Sequence, residues 1–128
     1  MKEYENDIKR HLEERGWDNL RPADLAKSIC IEAAELLEVF QWSNQSLDEV
    51  KKDEKKIEQV KKELADVLNY CFDLSVLLEL DTERIMRDKL KKVEEKYPAH
   101  IFKKGTSPEP GTEEAYLNVK RKYRREGV

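Results

Sequence analysis

The chain reads as an all-α protein, and three observations carry that expectation. Among its 128 residues there are only four Gly and four Pro, and three of each follow position 97, so the stretch before it almost lacks strand-turn punctuation. Apolar residues recur at helical spacing through SICIEAAELLEVFQW and again through ELADVLNYCFDLSVLL. Two carboxylate pairs at helical spacing, Glu32/Glu35 and Glu63/Asp66, interrupt these otherwise apolar windows. Acids in such surroundings must be paired or must bind a cation.

A first helix is expected over about residues 3–15, with Tyr4, Ile8, His11 and Leu12 on one face and Gly16 as its stop. Pro22, at a first-turn position, opens a second helix to about Trp42; Leu25, Ile29, Ala33, Leu36, Leu37 and Phe40 are joined by apolar residues on its other faces. Such a helix should be buried on several sides. Ser46 followed by Glu49 reads as a capping box, and the stretch from Asp48 to Lys62 as a solvated helix or helical linker rich in opposite-charge pairs. The apolar pattern returns from Leu64 through Leu80. Asp81 or Thr82 then caps a fourth helix that Pro98 ends near Tyr97.

The expected architecture is a four-helix bundle with antiparallel core helices, over a domain of residues 1–104. Residues 105–128 form a turn-rich tail with a short basic helix, mobile or draped over a partner chain. The charged content is 41% but the net charge is only −3, which gives no global pull towards nucleic acid or an anionic membrane. The opening MKEYENDIKR lacks an apolar signal region and no segment has the run of a membrane span, so a cytoplasmic address is expected. Cys30 and Cys71 fall within apolar helical patterns without C-x-x-C spacing and read as reduced core residues.

Residues three apart on a helix lie about 4.5 Å along the axis and about 60° around it, so each acid pair presents two carboxylates to one point. Antiparallel packing would bring the pairs together. Carboxylates 5 Å apart repel by about 3 kcal/mol at an effective dielectric near 20 unless a cation neutralises them. Mg²⁺ suits such a set because it takes hard oxygen ligands and keeps positions for water and phosphate. Glu38 is a candidate further ligand, or an acid one step behind the ligands. A di-iron site would need Glu-x-x-His pairs, and neither His11 nor His100 has a Glu three residues earlier.

With EAAELLEVFQW, ELADVLNY and KYP together, the chain resembles the MazG-like all-α nucleoside triphosphate pyrophosphohydrolases, and among them the dCTPase-like branch, over roughly residues 15–100. The resemblance assigns Glu32, Glu35, Glu63 and Asp66 as Mg²⁺ ligands, with Mn²⁺ as a substitute. It implies cleavage of a nucleoside triphosphate between the α and β phosphates to a monophosphate and pyrophosphate, with dCTP first among substrates and a role in nucleotide housekeeping. Glu35 is the candidate general base. Trp17, Trp42 and Tyr70 match aromatic positions near the base, and Lys89 and Lys96 match basic positions that hold phosphate oxygens. The family's subunits form tight dimers, often paired into tetramers, and a broad apolar surface on this chain points the same way.

Two departures touch the nucleotide pocket. The family Asn of K-x-x-x-N-x-x-[KR]-Y-P is Val93 here, and the F-H segment after the first Trp is replaced near Asn19 and Leu20. Two rival readings compete with the enzyme. One is a non-catalytic helical interaction module. The other is a nucleic-acid binder using Lys120, Arg121, Lys122, Arg124 and Arg125 around Tyr123.

Overall fold

In the computed structural model, which describes residues 1–101 and 112–126, every regular element is a helix. In order these are α1 (Lys2–Glu14), α2 (Pro22–Phe40), α3 (Leu47–Lys52), α4 (Glu54–Leu77), α5 (Thr82–Lys96) and α6 (Thr112–Arg125). The chain divides into two compact units, Met1–Thr82 and Glu83–Val128. The domain boundary expected at 104/105 falls outside the described residues.

In the first unit α4 is the common partner: α1, α2 and α3 all pack on it. Helix α2 runs antiparallel to α4. At one end the Lys56 ammonium donates to the Val39 carbonyl at 2.8 Å, satisfying an acceptor in the last turn of α2, and lies over the Phe40 ring. At the other end Leu25 and Ser28 share a cavity with Asn69 and Asp73. The acid pairs sit between these two ends.

The helix termini are set by local chemistry. Gly16 adopts φ +67°, its N–H donates to Glu13 and the Trp17 N–H to Leu12, which is a Schellman closure of α1. The closure turns Trp17 back over buried Leu12. The expected capping box is seen in part: Ser46 Oγ accepts from the Glu49 N–H at 3.2 Å. The charged stretch expected as one solvated segment is divided at Asp53, whose extended backbone ends α3 while its carboxylate accepts from the Lys56 N–H and opens α4. Helix α4 therefore starts ten residues before the apolar pattern and carries both.

Thr82 opens α5, and part of its cap comes from far away in sequence. Glu5 of α1, 9% exposed, accepts the Thr82 N–H at 2.8 Å, while the hydroxyls of Thr82 and buried Ser75 are 2.7 Å apart. The Thr82 hydroxyl first, and then its backbone N–H, hold the Glu5 carboxyl below its ordinary 4.5.

The second helix departs from expectation in its burial. Leu25 is buried, but Ile31 is 59% and Leu37 65% exposed, because α4 covers one side of α2 and its apolar residues occupy more of the circumference than that. Cys30 is likewise exposed and Cys71 half-buried, so Cys30 is not a core residue of the single chain. Both thiols are free, and burial pushes the Cys71 thiol up.

Glu5 supplies stability that is present above the ordinary carboxylate value and is lost as pH falls below it, because its folded-state affinity for protons is lowered. A Glu5→Gln variant should be less stable than wild type in urea at about pH 7, with the deficit closing at about pH 3. An unchanged deficit at both pH values would remove the ionised cap from this account.

Candidate active site

The antiparallel register places Glu32 on α2 opposite Glu63 and Asp66 on α4, and one carboxylate oxygen from each lies within 4.8 Å of the other two. All three side chains are half-buried. Two of their oxygens, Glu32 Oε2 and Glu63 Oε2, are buried with no hydrogen-bond partner among the described residues. Glu63 Oε1 faces Lys62 Nζ at 3.4 Å. An unsatisfied buried carboxylate oxygen is costly, and two of them beside a third acid form a donor set suited to a hard divalent cation.

Glu35 stands beside this group rather than within it. A hydrogen bond with the Glu35 carboxyl, then burial, then the charges of Glu35, Asp66 and Glu63 raise the Glu32 carboxyl above its ordinary 4.5. Glu35 itself is exposed, as is Glu38.

Next to the cluster a cavity of about 450 Å³ opens between α1, α2 and α4. Its wall includes Leu12, Trp17, Leu20, Leu25 and Tyr70, and Asp66 joins it to the acidic group. The His11 ring meets the Trp17 ring edge-on, with centroids 5.9 Å apart. A largely apolar cavity of this size with a few polar groups is suited to a small organic ligand. The structure therefore brings Trp17 and Tyr70 to one cavity.

Of the other substrate candidates, Trp42 belongs to the first unit and the two lysines to the second. Trp42 is 90% exposed just beyond α2 and does not line the cavity. Lys89 and Lys96 belong to the second unit, where Lys89 is exposed and the Lys96 ammonium sits over the rings of Tyr97 and Tyr123, at 5.4 and 5.0 Å from their centroids. His11, Asn69 and Asp73 also line the cavity and were not site candidates in the sequence. A signal for them existed, since Asp73 follows Asp66 by seven residues and so shares its helix face.

The first unit thus sets an acidic group against an aromatic-walled cavity. A MazG-like family model matches residues 27–106, more than half of the chain, and the chain belongs to that family. It is also similar to a pyrophosphatase from Archaeoglobus fulgidus of known crystal structure, at 38% identity and a TM-score of 0.67 over 77% of this chain and 93% of that one. No curated protein matches the chain by sequence. Among the described residues no helix is long and apolar enough to cross a membrane.

A divalent cation bound by the three acids should stabilise the fold by about 2.7 kcal/mol at a hundredfold excess over Kd, which is roughly 10 °C in Tm for a domain of this size. Because a proton competes for Glu32, affinity should weaken as pH falls through its raised range, by up to about tenfold per pH unit. Calorimetric titration with Mg²⁺ across the carboxylate range checks both the sign and the slope. Glu63→Gln should abolish the stabilisation.

Proposed function

We propose that the protein hydrolyses nucleoside triphosphates between the α and β phosphates, giving a nucleoside monophosphate and pyrophosphate with Mg²⁺ as cofactor. Membership of the MazG-like family, together with a pyrophosphatase neighbour, supports the coarser assignment as a nucleotide pyrophosphohydrolase. The observation that carries the finer reading is the pair of orphaned oxygens of Glu32 and Glu63, set where Asp66 meets the cavity of Trp17 and Tyr70.

Glu32, Glu63 and Asp66 hold the ion, with Glu35 as a further ligand or neighbour. When bound, Mg²⁺, or Mn²⁺ in its place, supplies neutralisation of charge on the phosphate oxygens. Glu35, exposed beside the cluster, accepts the proton of the attacking water. Oxygen from that water becomes part of the monophosphate, and the bond to the departing pyrophosphate breaks. Glu38, one helical step further along α2, supports the acid set. Trp17 and Tyr70 enclose the base.

Lys89 and Lys96 are assigned to phosphate oxygens, and Trp42 to a base pocket completed by a second subunit. The exposure of Ile31, Leu37 and Trp42 in the single chain favours a homodimer or a dimer of dimers. A cytoplasmic enzyme of nucleotide housekeeping, with dCTP preferred, completes the reading.

Chromatography of products from a panel of triphosphates with Mg²⁺ tests the scission point. Pyrophosphate as the sole inorganic product is expected, and stepwise orthophosphate release contradicts it. Glu35→Gln should lower kcat by about 10²-fold or more while leaving cation-induced stabilisation largely in place. Full turnover in that variant would move the base elsewhere.

A further inference from the structure

Asp66, Asn69, Tyr70 and Asp73 follow one another along a single face of α4, and all four line the cavity. From Asp66 to Asp73 the helix rises about 10.5 Å at 1.5 Å per residue, close to the span from an α-phosphate to the outer edge of its base. The cation end and the far wall are thus one nucleotide apart. Asp73 makes no hydrogen bond or ion pair among the described residues. Burial raises its carboxyl, and only the charge of His11 acts against this.

Asn69 is oriented by a residue outside the cavity. The Tyr4 hydroxyl donates to Asn69 Oδ1, which leaves both amide N–H groups of Asn69 as donors. An ionised Asp73 offers acceptors alone. The wall therefore presents a donor nearer the acidic cluster and, one helical turn further, an acceptor.

A base whose sugar and phosphates are anchored at the Asp66 end reaches furthest with the substituent at pyrimidine C4 or purine C6. In that placement the substituent would lie at Asp73 and the neighbouring ring nitrogen at Asn69. An amino group beside an unprotonated ring nitrogen satisfies both residues. An oxo group beside a ring N–H opposes both, placing oxygen against carboxylate and N–H against N–H.

We propose that Asp73 is a specificity-determining residue which, with Asn69, selects 4-aminopyrimidine or 6-aminopurine nucleotides over their oxo counterparts. The inference rests on the nucleotide reading of the cavity, and it assigns to Asp73 and Asn69 a role that the family resemblance does not.

The test compares dCTP with dUTP in hydrolysis and dCMP with dUMP in calorimetric binding, for wild type, Asp73→Asn and Asp73→Ala. Wild type should favour the cytosine nucleotide by about 10-fold or more in kcat/KM and in Kd, the lower part of the range for an unpaired acceptor because Asp73 is half-buried. Asp73→Asn, able to donate to the uracil oxygen, should collapse or invert that ratio. Asp73→Ala should lose the preference without inverting it. A ratio that survives in both variants, or a wild type without preference for the amino base, overturns the inference while leaving the reaction intact. Selective dCMP binding without any triphosphate hydrolysis supports the inference and overturns the reaction. Absence of both binding and hydrolysis overturns both.

Discussion

Carboxylates from two helices whose oxygens lie within 4.8 Å of one another repel, so the packing of α2 on α4 works against itself at the acidic cluster. The remainder of the interface must outweigh that local conflict. Lys56 bridging to the end of α2 at one side, and the apolar contact around Leu25 at the other, hold the helices in register on either side of the acids. The contact with Glu35, burial and the neighbouring acids raise the Glu32 carboxyl above its ordinary value, the electrostatic mark of that repulsion. The fold thus holds a charge set whose natural completion is a divalent ion, much as buried acids elsewhere persist only with a partner.

From this constraint the neighbouring architecture follows. Trp17 reaches the cavity because Gly16 can adopt a left-handed backbone, and the Schellman closure then folds the chain back over Leu12. Glu79 takes the same left-handed conformation at the end of α4 without the freedom of glycine, at φ 55°. That turn leads to Thr82, which the Glu5 carboxylate ties to α1. The end of α1 and the start of α5 are each fixed by a small number of polar contacts.

Much of this was legible in the sequence because it depends on local periodicity. The E-x-x-E and E-x-x-D spacings point to four acids at one place; Glu32, Glu63 and Asp66 lie together, while Glu35 stands beside them. The helices appear in the expected order, with the charged stretch resolved into α3 and the start of α4 by Asp53, whose dual role as terminator and cap is a matter of one residue's backbone angles. Burial was harder to read. Apolar periodicity on α2 marks surfaces that avoid water but does not say whether α4 or a second chain covers them, which is why Cys30 was expected in the core and is exposed. Asp73 lay hidden for a related reason: an acid on an apolar helix reads as an exception until the cavity beside it is seen.

The account stands on convergence of the three acids on one cation. Crystals grown with Mn²⁺ and measured at its absorption edge address this directly. The expected result is an anomalous peak bounded by Glu32, Glu63 and Asp66, at roughly 2.0–2.2 Å from their oxygens as hard divalent ions require. A peak elsewhere, or acids turned into solvent with no ion between them at saturating Mn²⁺, would contradict it.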